Sequence, residues 1–308
     1  MRQLANELES LDVGVVKVDE SLKNHTTWKI GGAASILYEP SSLKGLQSAL
    51  RAITARNLPL FILGRGSNVL ISDEGIPGVV IKLGDQMASY TLKGTLLTVE
   101  AGCSLIKLAT TLSKKGYSGL EFAAGIPGSL GGAVYMNAGA HGADISSILT
   151  KALILFPDGS LKWLTNKELN FDYRTSVLQR NGGICVAAEF QMEQGNASSI
   201  REDLLKNKSY RKETQPWTDP CCGSVFRNPL PNHAGKLIEE LGLKGFSIGD
   251  AEVSSVHGNF IINKGDAKAE DVLKLIQYVQ DKVEERFEIQ LQTEVEFVPL
   301  AKDSSDLQ

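Results

Sequence analysis

The sequence predicts an α+β protein of two units, and three observations carry that prediction. Short β-rich runs alternate with helix-period segments through most of the 308 residues. The polar, turn-rich stretch EQGNASS at 193–199 interrupts the alternation. Beyond it the chain changes character, to charged helices around a few short strands. The expected units are 1–195, divided again at about 73/74, and 200–300, with a disordered tail at 301–308.

The elements follow in order. SSLKGLQSALRAITARN (41–57) has helical spacing, with Ser41 or Ser42 as its cap. PLFILGRGSNVLI then places two apolar runs around a glycine turn, and a tight hairpin is its simplest form. GVVIKL (78–83) and TLLTVEAG (95–102) read as strands, and SLIKLATTLSKKG (104–116) as a helix with a glycine stop. ALILFPDGSLKWLT (152–165) is a hairpin around Pro-Asp-Gly, and CVAAEFQM (185–192) another strand. In the second unit come a charged helix at 200–213, a short helix at AGKLIEELG, a strand at NFIIN (259–263), an amphipathic helix from Ala267 to about Phe287, and a last strand, TEVEFV (293–298).

Charge and composition exclude several functions. A net charge of −4 gives no basic field to attract nucleic acid or anionic lipid. The opening MRQLANELESLDVG is acidic where a signal peptide needs an apolar run, and no stretch reaches the about 18 apolar residues of a membrane span. Cys103, Cys185, Cys221 and Cys222 have no metal-ligand spacing, and the adjacent pair is a poor start for a disulfide framework. Four reduced thiols in a cytoplasmic protein without metal is the expectation.

Two glycine segments stand out. GRGSN (64–68) resembles a phosphate loop, but Val69 stands where a dinucleotide fingerprint needs its third glycine, and a strand follows where a helix should. What remains is a loop whose N–H groups, with Ser67 and Asn68, form a candidate anion nest. FAAGIPGSLGGAVYMNAGAHG (122–142) has six glycines and no Asp, Glu, Lys or Arg. Gly125, Gly128, Gly131 and Gly132 allow close approach of backbone to another surface. Two such loops suit one extended ligand with a pyrophosphate and flat rings, as a flavin dinucleotide is.

These motifs, with HTTWKIGG (25–32), FDYRTSVL (171–178), CGSVFRNP (222–229) and TEVEFV, occur in an order that resembles the UDP-N-acetylenolpyruvoylglucosamine reductases, flavoenzymes of bacterial peptidoglycan synthesis. The resemblance spans nearly the whole chain and fits the subgroup without the long substrate-loop insertion. It implies a first half that is an FAD domain of the vanillyl-alcohol-oxidase (PCMH) type, followed by an α+β substrate domain. It also implies noncovalent FAD, with Gly64, Arg65, Gly66, Ser67, Asn68, Gly125, Gly128, Ser129, Gly131, Gly132, Asn137, Ala138, Gly139 and Ala140 along it. NADPH would be the hydride donor, and UDP-N-acetylglucosamine enolpyruvate the substrate, with no obligate protein partner.

Hydride addition to an alkene conjugated with a carboxylate drives negative charge onto that carboxylate. The site therefore needs a cation or acid there, and a proton for the adjacent carbon. By resemblance Arg174 stabilises the enolic intermediate, as a planar guanidinium suits a carboxylate. Ser224 matches the proton donor and Glu294 the assisting carboxylate. Strand periodicity puts Glu294 and Glu296 on one face and cannot choose between them; the motif chooses Glu294. Tyr173, Arg211, Asn228 and His257 resemble substrate-side groups, and His141 a cofactor-loop residue. Cys221 and Cys222 depart from the small residues usual before Gly223, and raise the question of oxidant sensitivity. Two other functions are compatible with parts of the sequence: an FAD-dependent alcohol oxidase sharing the cofactor domain, and a non-catalytic sugar-nucleotide or flavin-binding protein.

Overall fold

Ser42 opens the first long helix, Leu43–Thr54, by accepting a hydrogen bond from the Gly45 N–H at 3.2 Å. Its apolar residues Leu46, Ala49, Leu50 and Ile53 recur at helical spacing and are all buried. They share a core with Leu4 and Leu8 of an N-terminal helix, Arg2–Ser10, that the sequence reading did not anticipate. The structure is a computed structural model that describes residues 1–11 and 13–298; the tail expected at 301–308 lies outside the described residues.

Two sheets build the first half. One has four strands in the order Gly14–Ser21, Ala33–Pro40, Ile76–Lys82 and Leu60–Leu63. The other has five antiparallel strands, ordered Leu161–Thr165, Leu149–Leu155, Ile184–Gln191, Leu96–Glu100 and Tyr90–Lys93. The Pro-Asp-Gly hairpin is present, with Leu155 opposite Leu161. Helix Leu105–Lys114 is capped by Ser104 and packs its buried Leu105, Leu108 and Leu112 into the core beside Leu97, Val99 and Phe190.

Residues 64–68 join two strands, Leu60–Leu63 and Val69–Ile71, as expected, but not in the simpler form of a hairpin. Leu60–Leu63 pairs parallel with Ile76–Lys82, whereas Val69–Ile71 pairs parallel with Glu296–Val298. The glycine loop is thus a connection between two sheets.

Contacts divide the chain into two units that differ from the contiguous halves expected. The first is Met1–Val18, Ser35–Arg65 and Gly78–Tyr210; the second is Asp19–Ala34, Gly66–Pro77 and Arg211 onward. The second unit's core explains the interleaving. Trp28 and Ile30 are buried among Val225, Phe226, Val272 and Leu275, and the Trp28 indole donates to the Ile261 carbonyl at 2.9 Å. Leu70 joins the same core. Nor is 193–199 a plain polar break: Glu193–Gln194 pairs with Tyr117–Ser118, and helix Ala197–Thr214 starts at once.

The second unit also holds a three-stranded antiparallel sheet, Ser247–Ile248, Ala251–Val253 and Ile261–Asn263. Helix Ala269–Phe287 covers it with Val272, Leu275, Ile276, Val279 and Val283. Asp73 reaches this helix from the other end of the sequence and accepts from the Ala269 and Glu270 N–H groups at 3.0 and 3.2 Å. A carboxylate on exposed N-terminal donors is favoured by both hydrogen bonding and the helix dipole.

Candidate active site

Ser224 and Glu294 are carried by neighbouring segments of the second unit. The main chain at 225–227 is hydrogen-bonded on two sides, with an isolated β-bridge on one of them. On one side the Glu294 N–H donates to the Val225 carbonyl at 2.7 Å, Phe226 bridges Thr293, and the Arg227 N–H donates to Gln292 at 2.9 Å. On the other side the Val225 N–H donates to the Asn259 carbonyl at 2.9 Å. The Asn259 side chain continues the ladder: its amide donates to the Phe226 carbonyl at 2.8 Å and its oxygen accepts from the Phe226 N–H at 2.9 Å. Asn259 is only 4% exposed, so these bonds act where water does not compete. Gly223, at φ +89°, makes the turn into Ser224 with no heavy atom within 4 Å of its missing side chain. Ser224 and Glu294 are each half-buried.

Glu294 itself is not in a strand. The last strand is only Glu296–Val298, so the shared-face argument for Glu294 and Glu296 does not apply. The break arises because Thr293 bridges Phe226 while Glu296 begins pairing with Val69, two partners that the intervening residues must turn between.

The neighbouring thiols are muted. Burial, with smaller contributions from Cys221 and the Glu294 carboxylate, pushes the Cys222 thiol well above its ordinary range. Burial raises Cys221 too. A thiol held protonated is a poor nucleophile, so the two cysteines read as packing groups and not as an oxidant trigger.

The other substrate-side candidates of this unit are engaged within it. The Asn228 oxygen accepts from the Ala234 N–H at 3.1 Å, at the start of helix Ala234–Glu240. His257 Nδ1 accepts from the Asn259 N–H at 3.1 Å, and burial pulls its pKa down despite the opposing charge of Glu239. Arg211 Nε donates to Gln215 at 2.8 Å.

Arg174 lies in the first unit, at φ +57°, a left-handed conformation uncommon for a residue with a side chain. It tops a tight turn closed by reciprocal Asp172–Thr175 main-chain bonds of 3.1 Å. The Arg174 guanidinium donates to the Gly139 carbonyl at 2.8 Å and lies 5.0 Å from the ring centre of Tyr173, which is exposed. Gln179 donates to the Arg174 carbonyl at 3.1 Å. His141, also at positive φ, meets Tyr210 edge-on.

The glycine segments prove to have two kinds of glycine. A side chain on Gly64 would run into Ser129 Oγ, one on Gly66 into the His25 carbonyl, one on Gly131 into Ala101 Cβ at 2.9 Å, and one on Gly139 into Asp144 Cβ at 2.6 Å. At these positions a side chain would collide with the protein itself, so close packing of protein on protein is one reason for glycine there. The Leu130 and Gly131 N–H groups are likewise spent on Cys103 and Ala101, and Gly132 donates to Ser129 Oγ. Gly132 differs: among the described residues outside its own helix backbone, a side-chain carbon there would meet Ser129 Oγ at 3.5 Å, an ordinary contact, so packing gives no reason for a helical glycine.

A phosphate-bearing flavin fits the 64–68 loop. Among the described residues, the consecutive N–H groups of Arg65, Gly66 and Ser67 find no acceptor, and Gly66 has the left-handed φ of +64° that backbone nests use. Arg65 adds a cation whose nearest carboxylate, Asp85, is 3.7 Å away.

Comparison with known proteins decides the family. A family model described as UDP-N-acetylenolpyruvoylglucosamine reductase, C-terminal domain, matches residues 215–298, and one described as FAD binding domain matches 34–165. The UDP-N-acetylenolpyruvoylglucosamine reductase of Halalkalibacterium halodurans is 54% identical over 97% of this chain and 99% of its own. The chain belongs to that reductase family. The reductase of Bacillus subtilis is 54% identical over the same share of this chain. The crystal structure of the Thermus caldophilus reductase covers 93% of this chain and 99% of its own, with a TM-score of 0.80 at 36% identity. This reductase is therefore a flavoenzyme of peptidoglycan precursor synthesis, with an FAD domain of the PCMH type and the family's own C-terminal domain. That second domain sets aside the alcohol-oxidase reading.

Two features escaped the sequence. Asn259 sat inside a strand-like run with nothing to mark its side chain as part of a ladder. Asn137, assigned to the cofactor, has its polar atoms bonded within the protein, as developed below.

Proposed function

We propose that this reductase converts UDP-N-acetylglucosamine enolpyruvate to UDP-N-acetylmuramate through Arg174, Ser224 and Glu294. The 64–68 loop and the Gly132 surface would hold FAD, which would supply, from NADPH, the hydride that the enolpyruvyl double bond receives. Arg174 faces the chemistry's first demand, charge on the substrate carboxylate, with a group that stays cationic at any working pH. Ser224 answers the second by giving its hydroxyl proton to the α-carbon, whose enolate character makes a weak acid sufficient. Glu294 steadies the enolic oxygen or the serine by hydrogen bonding. His257, kept neutral by burial, Tyr173, Arg211 and Asn228 would meet the rest of the sugar nucleotide.

The observation that carries this reading is the short antiparallel register linking 224–226 to 293–294, with the Glu294 N–H on the Val225 carbonyl at 2.7 Å. It supports a serine and a carboxylate acting at one place. Partners beyond the substrate and NADPH, including nucleic acid, membrane or an obligate protein, have no part in the proposal. A cytoplasmic site of action suits a nucleotide substrate, and no helix of the described residues is long and apolar enough to cross a membrane.

The test separates two half-reactions by stopped-flow absorbance. Ser224→Ala should keep FAD and bleach with NADPH near the wild-type rate. Its reoxidation by the enolpyruvyl substrate should slow by roughly 10²–10⁴-fold, the usual worth of general acid catalysis. Equal slowing of both halves would reassign Ser224 to positioning, and no slowing would make it a turn residue. Flavin binding without NADPH-dependent turnover of the sugar nucleotide would favour the silent binding protein instead.

A further inference from the structure

We propose that Asn137 is a positioning residue for Arg174 and does not contact the cofactor. The proposal rests on the reading of Arg174 given above. Asn137 is 2% exposed, and its amide is fully committed. One N–H donates to the Asp144 carboxylate at 3.1 Å and the other to the Asp172 main-chain carbonyl at 3.1 Å. Its oxygen accepts from the Ser146 N–H at 3.0 Å. Both donors are spent within the protein, so none is left for a flavin or a phosphate.

The bond to Asp172 matters most, because Asp172 and Thr175 close the turn that holds Arg174 at positive φ. A left-handed residue with a side chain keeps that conformation only where its surroundings over-determine it. Among the bonds that hold the turn are Asn137 on the Asp172 carbonyl, Gln179 on the Arg174 carbonyl, and the guanidinium on the Gly139 carbonyl. Asn137 controls two of them, since it stands two residues before Gly139 and ties that strand to Asp144. The pairing of Gly139 with Asp144 and Ala140 with Ala143 then presents the carbonyl that receives Arg174. Asn137 itself is at φ +42°, which asparagine tolerates better than most residues.

The test uses the whole enzyme and the variant Asn137→Gly, which keeps the left-handed backbone and removes the amide. Flavin content and the bleaching rate with NADPH should stay near wild type. Reoxidation by the enolpyruvyl substrate should slow by roughly 10–100-fold, the scale expected when a substrate-holding group is displaced. In an Arg174→Ala background the same substitution should add less than about twofold, because coupled residues are not additive. Loss of flavin, or equal slowing of both half-reactions, would overturn the proposal in favour of a cofactor contact or a general structural role. Full multiplication of the two defects would overturn it too. If Arg174→Ala alone reoxidises at the wild-type rate, the reading of Arg174 falls and this proposal with it. Asn137→Ser removes the amide without setting a second carboxylate beside Asp144, and supplies the same comparison where the glycine variant does not accumulate.

Discussion

Asn68 and Glu294 are bound to each other across 226 residues of sequence. The Asn68 amide donates to the Glu294 carbonyl at 3.0 Å, and the Asn68 carbonyl accepts from the Glu296 N–H at 3.1 Å. The last residue of the glycine loop thereby sets the main chain of the proposed catalytic carboxylate. Asn68→Ala should cost about 1 kcal/mol of stability, the usual net worth of such a bond. It should slow substrate reoxidation more than NADPH reduction. Urea melting and stopped-flow absorbance check the two effects; a variant with unchanged half-reactions would leave Asn68 a purely structural tie.

Adjacent glycines should behave differently. Gly131→Ala forces its new methyl onto Ala101 at 2.9 Å, so lower stability is expected. Gly132→Ala meets only Ser129 Oγ at 3.5 Å, and should fold at least as stably, because alanine favours a helix by up to about 1 kcal/mol over glycine. Its flavin affinity should nevertheless fall, since the space is assigned to the cofactor. Flavin titration beside thermal melting reads both, and undiminished affinity in Gly132→Ala would move the cofactor surface elsewhere.

Asn259→Ala removes both side-chain bonds to Phe226 and leaves a buried N–H and carbonyl without partners. Each such loss costs about 1–3 kcal/mol. The denaturation midpoint should drop accordingly, and catalysis with it, because the segment leading from Ser224 loses the side-chain bonds that hold it on one side. An unshifted midpoint would show that water or a repacked loop replaces the asparagine.

Thiol chemistry offers a pH test. Burial pushes Cys185 up to about 12, and Cys222 well above the ordinary 9.0. In the unfolded chain both ionise near 9.0, so their contribution to stability is complete below that pH. It is lost progressively as pH rises from 9.0 towards the native values, because only the unfolded state releases the protons. Stability should therefore decline on the alkaline side, and Cys185→Ala should flatten the decline whatever it costs at neutral pH. Native enzyme should also react slowly with a thiol reagent that titrates all four cysteines in denaturant. Rapid native labelling at Cys222 would contradict the muted-thiol account.

Much of the first unit was legible because its signals are local. Ser42, Ser104 and the Pro-Asp-Gly turn mark element ends by chemistry that acts over three or four residues. The candidate catalytic residues came through motif resemblance; Ser224 in particular has no local feature that distinguishes it from a turn serine. What stayed hidden depends on distant partners. Nothing near Trp28 announces that its indole is destined for Ile261, so residues 19–34 read as part of the first half. The parallel pairing of Val69–Ile71 with Glu296–Val298 is invisible for the same reason, so the loop's two strands were legible but not their partners. The ladder made by Asn259 and the bonds of Asn137 stayed hidden because a sequence pattern gives an amide's position but not its bonds.

The burial of Trp28 in the second unit's core has a consequence for synthesis on the ribosome. Trp28 and Ile261 are separated by 233 residues, and at about 5–20 residues per second one follows the other by roughly 10–50 s. Through that interval the nascent chain carries Trp28, Ile30 and Leu70 without the residues that bury them. The exposed apolar groups are a natural ligand for holdase chaperones during translation. The same threading means that a chain cut before Ile261 keeps Trp28 but loses the carbonyl and the core residues that bury it.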